Sequence, residues 1–204
     1  DRSGSMEAKF ETLKEGIGRT LEALPSQDRF RVIFFDDRAM RMFSGFRSAT
    51  PQEVQQTISE LRNVPIGGGT NLYAGLQDGL DDLDEDRPSG GVLITDGVAN
   101  VGPHERKDFV DLAASQDMRL FTVVMGNGAD RPMLEHLAAI SGGTTMNVSN
   151  SDDITGRLMT AVTRLSHHSL MYVYACVDVY VYAVAETQLK VPPQRGEELA
   201  VVGH

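Results

Sequence analysis

The chain has 204 residues, 41% hydrophobic and 24% charged, enough for one full domain plus an appendage with an ordinary globular balance. Its net charge of −10 argues against a nucleic-acid surface, which needs a basic stripe to meet phosphates, and against docking on an anionic membrane. A lone cysteine, Cys176, excludes an internal disulfide and a cysteine-based zinc site, and no apolar run reaches the ~18–20 residues that span a bilayer.

Met6, Phe10, Leu13, Ile17, Leu21 and Leu24 fall at helical spacing, which predicts a helix over 6–24 stopped by Pro25. The nearly continuous apolar run from Phe30 to Phe35 reads as a strand buried on both faces, turned by Asp36-Asp37 into a partner strand over 39–43. Thr50-Pro51-Gln52-Glu53 starts a helix that runs to Arg62, with proline at its first position and an acid in its first turn. The glycine loop 67–69 leads to a helix over 72–83. A short strand over 92–95, a helix over 104–115, a strand over 120–125 and a helix over 131–140 follow. Gly142-Gly143 ends that helix, and a strand over 144–148 and a helix over 152–165 complete the pattern. Strands alternating with helices imply an α/β fold with a doubly wound, mainly parallel sheet, and ligands bind at the carboxyl ends of its strands.

After His168 the pattern changes. Residues 171–184 hold four of the five tyrosines in a β-prone run, Pro192-Pro193 breaks it, and 198–202 reads as another short strand. The expected organisation is therefore one domain over 1–166 and a β-rich appendage over 167–204, the start of a second β domain.

Three separated segments carry chemistry: Asp1-Arg2-Ser3-Gly4-Ser5, Gly67-Gly68-Gly69-Thr70-Asn71 and Ile94-Thr95-Asp96-Gly97. Together they offer two carboxylates and three hydroxyls, an oxygen-only set suited to a hard divalent cation that keeps positions open for water or an incoming group. In this order, at the ends of apolar runs, they resemble the metal-ion-dependent adhesion site of von Willebrand factor A domains, over roughly residues 1–165. The resemblance implies Ser3 and Ser5 as direct hydroxyl ligands and Asp1 as a ligand bound directly or through water. It also implies Thr70 as a third hydroxyl and Asp96 as acceptor of a metal-bound water or ligand in its own right. The cation it implies is magnesium, with manganese or calcium as alternatives, and the partner a protein presenting an Asp or Glu carboxylate. In such a fold an apolar strand precedes the first ligand loop at the sheet centre, so the first central strand is expected upstream of residue 1. The alternative is that the tyrosine-rich tail fills that slot. The segment 194–204 further resembles the stretch that follows the A domain in inter-α-trypsin inhibitor heavy chains.

Each piece has a plainer reading. Ser3 and Ser5 serve equally as helix caps, Asp96-Gly97 as a turn and the three glycines as a link. The acidic run 81–86 reads as a solvated helix end before a second cation site, and Asp36-Asp37 as a turn that could also shape the metal loop. His167-His168 reads as a helix end, Met40 and Met42 beside Phe43 as packing, and Cys176 as buried filler. Two rival functions share the sequence: an intracellular A-domain assembly subunit acting with an ATPase, and a magnesium-dependent phosphoryl-transfer enzyme. The first loop places hydroxyls where such enzymes put a second acid, and no GxxxxGK[ST] loop occurs. The preferred reading is a non-enzymatic adhesion-type module, outside the cytoplasm on the strength of its β-rich tail.

Overall fold

A computed structural model describes residues 7–65, 67–83, 89–96, 98–115, 118–126, 128–148, 154–166, 172–177 and 179–184. Helix α1, Glu7–Glu22, buries Phe10, Leu13, Ile17 and Leu21 along one stripe, as its spacing dictates. The apolar run that follows is two strands, β1 (Arg29–Phe30) and β2 (Ile33–Phe35), because Arg31 interrupts it. Arg31 is 0% exposed. Its Nη2 donates to the carbonyls of Gly79 at 3.1 Å and Asp81 at 2.6 Å, while its guanidinium lies 4.7 Å from the Phe46 ring centre. β2 turns at Asp36–Arg38 into antiparallel β3 (Ala39–Arg41), and β4 (Arg47–Ser48) returns to pair with β1. Met42 and Phe43 pack on the core, whereas Met40 is half exposed.

Helix α2, Pro51–Leu61, begins at Thr50, whose hydroxyl accepts the Glu53 N–H at 3.4 Å, with Pro51 at the first position. Helix α3 spans Leu72–Leu80, three residues shorter than the pattern suggested. Arg31 supplies the reason, since it satisfies carbonyls at that helix end, and the chain leaves through Asp82 at φ 58°. Asp81 and Asp82 of the acidic run bind Arg41 at 2.9 Å each, together with Asp78 at 2.9 Å. Within the described part of that run, the cation held is therefore a guanidinium.

Strand β5 is Ser89–Thr95, buried throughout and longer than expected because Gly90 and Gly91 extend it. After α4 (Arg106–Ala114), β6 (Met118–Met125) pairs parallel with β5. After α5 (Arg131–Ile140), β7 (Thr145–Val148) pairs parallel with β6, giving the order β5-β6-β7. Helix α6, Ile154–Ser166, returns to pack on α1. The tyrosine-rich segment forms an antiparallel hairpin, β8 (Tyr172–Val177) and β9 (Val179–Val184), with β8 beside β5 and β9 beside β2. No described helix is long and apolar enough to cross a membrane. The expected strand over 198–202, residues 84–86, His167-His168 and the side chain of Cys176 lie outside what is described.

Candidate metal centre

The carboxyl ends of β2 and β5 face the loop that precedes α3, and hydrogen bonds weld these three segments into one rim. Asn71 anchors the loop: its N–H donates to the Asp36 carbonyl at 2.7 Å, its Nδ2 to the Asp37 carbonyl at 3.1 Å, and its Oδ1 accepts the Ala74 N–H at 3.0 Å. The last bond makes Asn71 the N-cap of α3. Asp37 Oδ1 also accepts the Gly69 N–H at 3.1 Å. The Asp36-Asp37 turn therefore holds the glycine loop in place, the role the sequence offered it as an alternative.

Two glycines of this loop are demanded by close approach. A β-carbon on Gly67 would lie 2.7 Å from Asp36 Oδ2, and one on Gly69 would overlap Asp37 Oδ1. The loop is not a flexible link; its glycines let two carboxylates close on its backbone.

Thr70 is clamped from the other side. Asn100 Oδ1 accepts the Thr70 N–H at 2.7 Å, and the Thr70 carbonyl accepts the N–H groups of Asn100 at 3.0 Å and Val101 at 3.1 Å. With both backbone groups used and the residue 3% exposed, the Thr70 hydroxyl has no partner among the described residues. Asp96 follows β5 directly, half-buried, and the β6–α5 loop reaches it from the far side, where a β-carbon on Gly128 would lie 3.0 Å from its carbonyl oxygen.

The structure thus brings the Thr70 and Asp96 loops together through Asn100. Asp1, Ser3 and Ser5 lie outside the described residues. Among the described residues no three or more His, Cys, Asp or Glu side chains could hold a metal ion together. The donors available on this rim are hydroxyl and carboxylate oxygens, which fit a hard cation and not a thiophilic one. Sequence reasoning missed Asn100. An asparagine four residues past the strand-end aspartate carries no signal of its own; only the folded loops show what it holds.

A parallel sheet with helices between its strands and loops gathered at the strand carboxyl ends defines the class: a doubly wound α/β domain. The chain belongs to the von Willebrand factor type A domain family, whose model matches residues 1–146. It is 28% identical over 166 residues to inter-alpha-trypsin inhibitor heavy chain H3 of Homo sapiens, covering 75% of this chain and 19% of that protein. The chain thus spans about a fifth of the length of that relative. Among solved structures, the von Willebrand factor type A protein of Catenulispora acidiphila superposes with TM-score 0.66 at 15% identity, over 91% of this chain and 56% of that one. Proximal thread matrix protein 1 of the mussel byssus, with a zinc-occupied metal-ion-dependent adhesion site, superposes with TM-score 0.61 at 15% identity, over 78% of this chain and 42% of that one. Both likenesses show the fold. Membership in this family makes the chain a protein-interaction module in the general sense.

Proposed function

We propose that the chain docks a partner protein through a divalent cation held by Asp1, Ser3, Ser5, Thr70 and Asp96. The observation that carries this reading is Thr70. Its backbone is fixed from two sides, and its hydroxyl, which makes no hydrogen bond to the described residues, stands on the rim that Asp96 shares. A bound magnesium ion would supply Lewis acidity toward an oxygen anion. Two carboxylates balance its charge and the hydroxyls add none, so an outside Asp or Glu is a natural further ligand. The zinc in the mussel protein shows that a site of this name can hold a metal on a related fold. On this chain, ligand hardness favours magnesium, with manganese or calcium as substitutes.

Such a site binds without turning over, and the reading is of a non-enzymatic module working outside the cytoplasm. The test is Mn2+ titration calorimetry on the wild type, Thr70→Ala and Asp96→Ala, paired with pull-down in magnesium or EDTA. Metal binding should weaken by roughly tenfold or more in each variant while circular dichroism is unchanged, and partners should be lost in EDTA. Partners retained equally in EDTA and in Asp96→Ala would sink it. Co-purification with an ATPase would move the chain to the assembly-subunit reading.

A further inference from the structure

We infer that Arg41 is a positioning residue for the rim, holding helix α3 at the axial setting that presents Thr70; its effect on metal affinity rests on the cation-docking reading above. Helix α3 cannot hold itself. Its nine residues fall short of the ~12–15 at which isolated helices become marginally stable, and Gly75 and Gly79 are poor helix formers. Its last turn carries no basic residue. Asp78 and Asp81 instead put negative charge where the helix dipole favours cations.

The compensating charges come from the strands beside it. Arg31 donates to the Gly79 and Asp81 carbonyls, and Arg41 takes the carboxylates. Arg41 Nε donates to Asp78 Oδ1 at 2.9 Å and Oδ2 at 3.0 Å, Nη2 to Asp81 Oδ2 at 2.9 Å and Nη1 to Asp82 Oδ2 at 2.9 Å. The other end of α3 is tied to the same hairpin, because its N-cap Asn71 donates to the Asp36 and Asp37 carbonyls in the β2–β3 turn. The hairpin thus grips α3 at both ends, about 14 Å apart at ~1.5 Å per residue. Burial of Leu72, Leu76 and Leu80 fixes the helix sideways, but apolar contact is non-directional and tolerates sliding. The guanidinium fork is directional. A slip at Asp78 therefore reaches Asn71 and, directly before it, Thr70. Of the three ion pairs the one to Asp78 decides: Arg41 and Asp78 are 21% and 25% exposed, whereas Asp81 and Asp82, at 63% and 66%, are screened by solvent.

The experiment measures Mn2+ affinity by titration calorimetry, and amide hydrogen exchange without metal. The proteins are wild type, Thr70→Ala, Arg41→Gln, Arg41→Lys, Asp78→Asn and the double variant of Arg41→Gln with Asp78→Asn. Arg41→Gln and Asp78→Asn should each bind Mn2+ roughly fivefold more weakly, and the double variant no worse than either. Arg41→Lys, which keeps the charge but not the fork, should fall between wild type and Arg41→Gln. Without metal, the Asn71 and Ala74 amides should exchange roughly tenfold faster in Arg41→Gln, with those of Val123 and Val124 in the β5–β6–β7 ladder unchanged. Equal acceleration at all four amides, or losses that simply add in the double variant, would make Arg41 a general stabiliser and overturn the inference. Wild-type affinity in Arg41→Gln, with metal lost in Thr70→Ala, would also overturn it and leave the cation reading standing. No Mn2+ binding by the wild type, with the exchange pattern as expected, would remove the cation reading and keep the clamp on α3. Should Arg41→Gln not fold, Arg41→Lys and Asp78→Asn carry the same comparison.

Discussion

Asn100 does for Thr70 what a second ligand loop does for a metal: it fixes direction before anything binds. Replacing it with alanine removes one hydrogen bond to a residue that is 3% exposed, so Asn100→Ala should cost about 1 kcal/mol of stability. Cation affinity should fall roughly tenfold, a loss that titration calorimetry separates from the small stability change seen in urea. Asp28 sets a different residue-scale expectation. The residue is 3% exposed, its Oδ1 has no hydrogen-bond partner among the described residues, and burial raises its pKa from 3.8 to about 6. Below pH 3.8 it is neutral folded or unfolded; between there and about 6 the folded state keeps the proton that the unfolded chain has lost. Its contribution to stability is thus fully present below the lower value and lost as pH rises through the upper one. Asp28→Asn should flatten that slope and stabilise the protein on the order of 2 kcal/mol at pH 7, with no gain near pH 3.5 in urea titrations. Thr70 and Asp96 were legible in the sequence because they stand at loop positions next to glycines. Asn100 and Asp28 were not, since what matters about each is a neighbour distant in sequence or a burial that no local pattern encodes.

Helix α3 is the element that presents Thr70, and it is seated on β2 through the absence of a side chain. A β-carbon on Gly75 would overlap the Phe35 ring, so helix and strand touch there without an intervening group. Alanine ordinarily gains about 1 kcal/mol over glycine inside a helix, while forcing a methyl into a filled contact costs ~1–3 kcal/mol. Gly75→Ala should therefore be net destabilising by about 1 kcal/mol in urea unfolding. It should also weaken cation binding, because the displaced helix carries Asn71 and the loop before it. The glycine loop 67–69 marked where α3 starts, but nothing local marked its end. A buried arginine from the break between β1 and β2 closes it at Leu80, and helical periodicity alone runs on to Leu83. The same arginine divides one apparent strand into β1 and β2. Alternating strands and helices were readable from apolar spacing, whereas breaks imposed by long-range contacts with Arg31 were not.

At the scale of the molecule, three loops from distant parts of the chain meet on one rim, and their joint stability should respond to whatever binds there. The rim's bonds run from the 36–38 turn through the glycine loop to 100–101, so a ligand that orders one loop braces all three. The net charge of −10 adds a general pull on cations, but that pull is screened within about 8 Å at physiological salt. Specific and diffuse binding therefore separate on ionic strength. A cation at ten times its dissociation constant stabilises the folded state by about 1.4 kcal/mol, roughly 3–6 °C for a domain of this size. Adding EDTA to the magnesium-loaded protein should lower Tm by that amount in 0.5 M as in ~0.05 M salt, and leave Thr70→Ala unmoved. A shift that disappears at high salt, or that persists in Thr70→Ala, would assign the effect to the acidic surface as a whole and leave the rim without a metal role.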